Sequence, residues 1–215
     1  MWNKSASRAR RGRGLRARAA LVLACGAVAG SAGGADVTST FKTGVGSPGL
    51  WSDLKYWKNT PAVAVVPNNG NGGYTFDVDL TGALMALDMD VTVDRFTGGL
   101  GNTSGQRRTL TATSGMVLGG AYYGLALDAG PATTFAAGAT FELSDTILNL
   151  SGDLAAAGNV TLTLISGGVL NVGAGTTFTP GSATTNSFRV NDNAGTGVNV
   201  AGTLDTVANT SISTP

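Results

Sequence analysis

The stretch Tyr74–Val93, YTFDVDLTGALMALDMDVTV, decides how the whole chain reads. Two alternating apolar and polar runs flank a short break at Thr81-Gly82. One side of the alternation carries Phe76, Val78 and Leu80, then Leu87, Met89, Val91 and Val93. The other carries Asp77, Asp79, Asp88, Asp90 and Thr92. A period of two belongs to strands with one buried and one wetted face, so the run predicts strands before the break and from Leu87 to Val93.

The composition around this stretch agrees. Among the acids Glu142 is the single Glu, while Gly, Thr, Ser, Asn and Val are abundant. Short strands joined by turns suit that mixture, and helices find little support in it. Downstream, apolar runs alternate with small-residue breaks at Gly98-Gly99, Gly119-Gly120, Ser151-Gly152-Asp153, Gly167-Gly168 and Gly173-Ala-Gly175. Ile147-Leu-Asn-Leu-Ser-Gly is echoed by Val169-Leu-Asn-Val-Gly-Ala, 22 residues on. Ala139-Thr-Phe-Glu has a similar echo in Gly175-Thr-Thr-Phe-Thr. Offsets near 20 suit one coil of a solenoid, and about 150 residues would supply roughly seven coils. The expected fold is therefore all-β: a right-handed parallel β-helix, or β-solenoid, over residues 67–215. The alternative is an antiparallel β-sandwich, which also uses many short strands and Gly-rich turns.

Residues 36–66 are the most aromatic and least repetitive part, with Phe41, Trp51, Tyr56 and Trp57. They read as an N-terminal cap that covers the apolar interior of the first coil. The competing reading makes Trp51, Tyr56 and Trp57 a carbohydrate platform, because flat rings stack on sugar faces. The turn cluster Pro67-Asn-Asn-Gly-Asn-Gly-Gly73 follows, in which Pro fixes φ and Asn and Gly accept positive φ.

Trp51-Ser-Asp53, Trp57, Val66-Pro-Asn-Asn-Gly70 and Tyr74-Thr-Phe-Asp-Val78 together resemble the opening of secreted bacterial β-solenoid surface proteins. These are similar to autotransporter passengers and to cell-surface proteins that bear C-terminal sorting signals. The resemblance is sharp over residues 51–93 and holds only in style beyond. It implies a solenoid fold and an outside location, and no particular activity.

Residues 1–35 have the layout of a secretory signal peptide. Seven of the 14 Lys and Arg fall in the first 18 residues, an apolar run spans Ala19 to Gly30, and small residues lead to Ala35. That run is too short for an ordinary spanning helix. The lone Cys25 and the Arg10-Arg11 pair fit lipoprotein and twin-arginine signals poorly. A secreted or bacterial cell-surface location follows as an expectation. From Asp36 onward seven basic residues face 13 acidic ones, a net charge of −6. An acidic surface disfavours nucleic acid and anionic membrane, and leaves a surface glycan or another envelope protein as the expected partner. The run Val207–Pro215 lacks an aromatic or charged cap. It reads as an open last coil, continued by further chain or covered by a partner.

The absence of His removes His-based triads and His metal ligands, and no catalytic residue is assigned. The best polar cluster is Asp77, Asp79, Asp88 and Asp90, which would form a carboxylate patch for Ca²⁺ if the two strands stack. Calcium is thus the one cofactor the sequence suggests. The plainer reading is that Asp alternates with apolar residues because that face is solvated. Carboxylates two residues apart on a strand also lie about 6.5–7 Å apart, within the reach of an inverting glycosidase pair. That gives a polysaccharide-degrading β-helix as a minor alternative, with Asp88 and Asp90 as acid and base and Arg95, Arg107 and Arg108 holding a sugar carboxylate. Asn191-Asp-Asn193 reads as a tight turn rather than a cation loop.

Overall fold

The computed structural model describes residues 36–42, 48–83, 85–102, 105–136, 138–155, 160–180, 187–190, 195–205 and 211–213. The expected leader, the Asn191-Asp-Asn193 turn and most of the run from Val207 lie outside them. The chain is all-β and forms a β-solenoid of about five turns with stacked parallel strands. Its strands join one 16-stranded sheet and one three-stranded sheet.

Each coil visits three faces. The first face stacks residues 91–93 of Val91–Gly101, residues 108–112 of Arg108–Tyr123, then Leu125–Ala129, Ile147–Leu150, Val169–Val172 and Gly197–Val200, all parallel. The second face begins with Val37–Phe41 and Phe76–Asp79 and runs through residues 95–98 and 115–118 to Thr134–Phe135. Leu154–Ala155, Thr177–Thr179 and Thr203–Leu204 form the three-stranded sheet that follows in the later coils. The third face stacks residues 120–123, Thr140–Ser144, Thr161–Ile165, Ser187–Val190 and Ser211–Ser213.

The interior is built of columns. On the first face Val91, Leu110, Leu127, Leu148, Leu170 and Val198 pair rung over rung. The first five are buried. The third face contributes Leu100, Tyr122, Leu143, Leu164 and Val190 in the same manner. A single coil is too thin to hide these side chains, so burial comes from the coils above and below. Each one fully buried contributes about 1.5–3 kcal/mol. Inside the stack Phe141 meets Tyr122 and Phe135 edge-on, with centroids 5.4 and 5.6 Å apart.

Corners follow from small and β-branched residues. Buried Thr133 donates from its Oγ1 to Gly130 O at 2.7 Å and accepts from Met116 N of the previous coil at 3.0 Å. Thr146 repeats the device between Ser144 O and Leu125 N. Gly98-Gly99 and Gly119-Gly120 were expected to separate strands, yet they lie inside Val91–Gly101 and Arg108–Tyr123. Gly98 has φ +123° and Gly120 φ +81°, so the strand turns a corner without leaving the ladder.

Several other expectations are corrected. Leu87–Val93 is not one strand: Met85–Ala86 ends before Leu87, a bend crosses residues 87–90, and the next strand starts at Val91. Leu87 and Val91 are nevertheless buried, as the alternation requires. The 22-residue echo is a true register, because Ile147–Leu150 pairs with Val169–Val172. The other echo is not. Phe141 pairs with Leu162 on the third face, whereas Phe178 pairs with Leu154 on another. The stack has about five turns instead of seven, and on the first face paired residues lie from 17 (Arg108 and Leu125) to 28 (Val169 and Gly197) positions apart rather than at an even spacing of about 20.

At the N-terminal edge the ladder changes direction. Trp57–Thr60 pairs antiparallel to Val37–Phe41. The Asn59 amide donates to Val63 O and Val65 O at 2.9 and 2.8 Å, folding the following segment over this strand. Such a cover protects an edge that would otherwise pair with another chain.

Candidate functional site

The aromatic residues do not form a sugar platform. Trp51 is fully buried, and its Nε1 donates to Pro67 O at 2.7 Å. Trp57 is buried too, and donates from Nε1 to Trp51 O at 2.8 Å. The two rings meet edge-on with centroids 4.7 Å apart, and Trp51 lies 6.3 Å from Phe96 on the second face. Both indoles are thus withdrawn from the surface, and of the three expected platform residues Tyr56 alone is only half-buried. Tyr56 stacks on Phe41 at 5.9 Å, and Lys55 Nζ stands 4.7 Å from its ring centre.

The four aspartates are not gathered into one patch. Asp77 and Asp79 stand on the strand Phe76–Asp79, while Asp88 and Asp90 lie in the bend before Val91. Each has a local task. Asp79 accepts from Thr81 N and Oγ1 at 2.8 and 2.6 Å. Asp88 accepts from Ser52 N and Oγ at 3.0 and 2.5 Å. Asp90 accepts from Thr109 N at 2.9 Å. Among the described residues no three His, Cys, Asp or Glu side chains converge as a metal would need. Asp77 differs: one carboxylate oxygen is buried without a partner. Burial raises its pKa, and the neighbouring Arg95 only partly offsets that rise. Two of the arginines of the minor alternative face other carboxylates. Arg95 stands on the second face beside Asp77, and Arg107 pairs with Asp145 at 2.6 Å.

The polar arrangement that does converge lies on the outer side of the first face. Thr92, Thr111, Asp128, Asn149, Asn171 and Asn199 stand in register, one per rung. Asn199 donates from Nδ2 to Asn171 Oδ1 at 2.8 Å, Asn171 to Asn149 Oδ1 at 2.7 Å, and Asn149 to Asp128 Oδ1 at 2.7 Å. Thr111 Oγ1 reaches Asp128 Oδ2 at 3.3 Å. The side chains therefore form one hydrogen-bonded chain across five coils, every amide donating toward Asp128. Strand alternation puts these residues outward because Leu148, Leu150, Leu170 and Val172 take the inner positions.

Beside this row runs a second, Thr109, Ala126, Ile147, Val169 and Gly197, all half-buried. On the other side the surface drops into an open groove of about 400 Å³, lined by Thr111, Thr113, Asp128, Gly130, Asn149 and Ser151 among others. The row was not singled out from the sequence. Its signal was present in the echo Leu148-Asn-Leu, Leu170-Asn-Val and Val198-Asn-Val, where each Asn sits between two apolar residues. A further concavity of about 450 Å³ follows the corner between the second and third faces, over Gly98-Gly99 and Gly119-Gly120. It is lined by small residues and exposes few polar side chains. No family model, no curated protein and no solved structure matches this chain.

Proposed function

We propose that this chain is a secreted or cell-surface β-solenoid, a structural and adhesin-like module without enzymatic activity. One observation carries the reading: every outward row is held at a fixed rung spacing by an apolar column behind it, so the faces are rigid surfaces for display. The leader-like residues 1–35 and the resemblance over residues 51–93 support an outside location. The carboxylates of Asp88 and Asp90 accept from Ser52 and Thr109, which supports a structural role for them.

The location is tested by expressing the full chain in a Gram-negative host and sequencing the N-terminus of the product. A product that begins at Asp36 and fractionates outside the cytoplasm is expected. One that retains Met1 and stays in the cytoplasm overturns the reading. Catalysis is tested with a reducing-sugar assay on acidic polysaccharides. No turnover is expected, and turnover that disappears in Asp88→Asn would return the polysaccharide-degrading alternative to first place.

A further inference from the structure

We propose that the first face binds a neutral, linear carbohydrate polymer, laid across the strands along Asp128, Asn149, Asn171 and Asn199. The proposal rests on three parallel features of one face. The middle one is the hydrogen-bonded row. Within the row, Asn149 and Asn171 each commit one Nδ2 hydrogen and one Oδ1 lone pair to their neighbours. A primary amide has a second of each, which leaves them for a ligand. The unused groups recur at the rung spacing of about 4.8 Å, a repeat comparable to one hexose unit.

Neighbouring amides fix each side chain, so binding costs little further rotamer freedom. That is the condition under which weak hydroxyl contacts sum to useful affinity. The second feature is the aliphatic ridge of Ala126, Ile147 and Val169, in the same register as the amides. A pyranose has apolar C–H faces and hydroxyl edges, and a ridge beside a row of amides meets both at once. The third is the groove at Gly130 and Ser151, which gives room for substituents on the far side of the ring.

Charge narrows the ligand class. The three rows hold no lysine or arginine, and Asp128 places a carboxylate at the head of the amide chain. A polyanion would meet repulsion there without a compensating cation. The row also has a direction, since every amide donates toward Asp128. A polymer with distinct reducing and non-reducing ends is therefore bound in one orientation.

This inference deepens the surface-display reading and rests on it for the source of the polymer. Binding by the purified chain is measured without reference to location, so either can fail alone. The test follows side-chain amide resonances while the chain is titrated with cello-, manno- and laminari-oligosaccharides from dimer to hexamer, and with polygalacturonate. One neutral series is expected to shift the Nδ2 signals of Asn149, Asn171 and Asn199, with affinity rising as the oligomer lengthens. Asn199→Ala, at an exposed position at the end of the row, is expected to weaken the hexamer about five- to tenfold while leaving Tm in place. Tyr123→Ala, exposed on another face, leaves binding unchanged. Silence from all three neutral series at millimolar concentration overturns the proposal. So does binding of polygalacturonate alone, or shifts that map to another face.

Discussion

Asp77 shows how one side chain records its surroundings. It stands between Thr38 and Arg95 on adjacent strands, with one oxygen buried and unpaired. Burial raises its pKa above the ordinary value of 3.8. A carboxyl whose folded pKa exceeds its unfolded one binds its proton more readily when folded. Its charge then costs stability above the folded pKa, and the cost vanishes below the unfolded one. Asp77→Asn is therefore expected to raise Tm at pH 7, with the advantage fading as pH falls through the ordinary carboxyl range. Melting curves from pH 7 to pH 3 check this, and a constant offset would exclude proton linkage as the cause. Gly168 makes a second case. A Cβ there would lie 2.2 Å from Leu143 O in the adjacent coil. Gly168→Ala must push two backbones apart, at about 1–3 kcal/mol. Gly175→Ala, where a Cβ meets nothing within 4 Å, pays only for its positive φ, about 1–2 kcal/mol. Chemical denaturation of both variants should show the larger loss at Gly168. The sequence marks both glycines alike as turn residues, because it does not reveal which backbone lies opposite.

At the scale of the strand, position in a column matters more than residue type. Leu148 has Leu127 and Leu170 as column neighbours and is buried. Leu148→Ala should cost about 2–5 kcal/mol, because the packed rungs on either side cannot collapse into the space. Val200 occupies an equally apolar sequence context, yet it is 44 % exposed. Val200→Ala should cost less than about 0.5 kcal/mol. Denaturant midpoints at matched slopes separate the two, and similar losses would mean that the columns do not govern stability. The same logic explains which strands the sequence revealed. Ile147–Leu150 and Val169–Val172 each complete two inward positions, and their Leu-Asn-Leu and Leu-Asn-Val cores disclose both the register and the outward asparagines. Thr134–Phe135, Leu154–Ala155 and Thr203–Leu204 have two residues each. Two residues offer one inward position, which carries no period. The aromatic platform failed for a related reason. Composition signals large rings, but it does not distinguish a ring that covers a core from one that faces water.

For the whole molecule, the controlling fact is that each coil touches only the coils before and after it. Stability in such a stack is a sum of within-coil and between-coil contributions, so opening should start where a coil has one neighbour. Leu125–Ala129 and Ile147–Leu150 are paired on both sides. Gly197–Val200 is paired on one side among the described residues, and its register partner lies 28 positions back, which closes a longer loop for the same four pairs. Hydrogen exchange followed by mass spectrometry should therefore rank the rungs of the first face. Amides of Leu125–Ala129 and Ile147–Leu150 exchange slowest, and those of Gly197–Val200 fastest. In Leu148→Ala the gradient should steepen, because the weakened interfaces on both sides of that rung uncouple the later coils from the earlier ones. The aromatic cover at the opposite end predicts an asymmetry as well. Trp57–Thr60 is antiparallel and is itself overlaid by residues 61–66 through Asn59, so Val37–Phe41 should exchange more slowly than Gly197–Val200. One common rate for all rungs would mean that the stack opens as a single unit, and the coil-by-coil account of its stability would then be wrong.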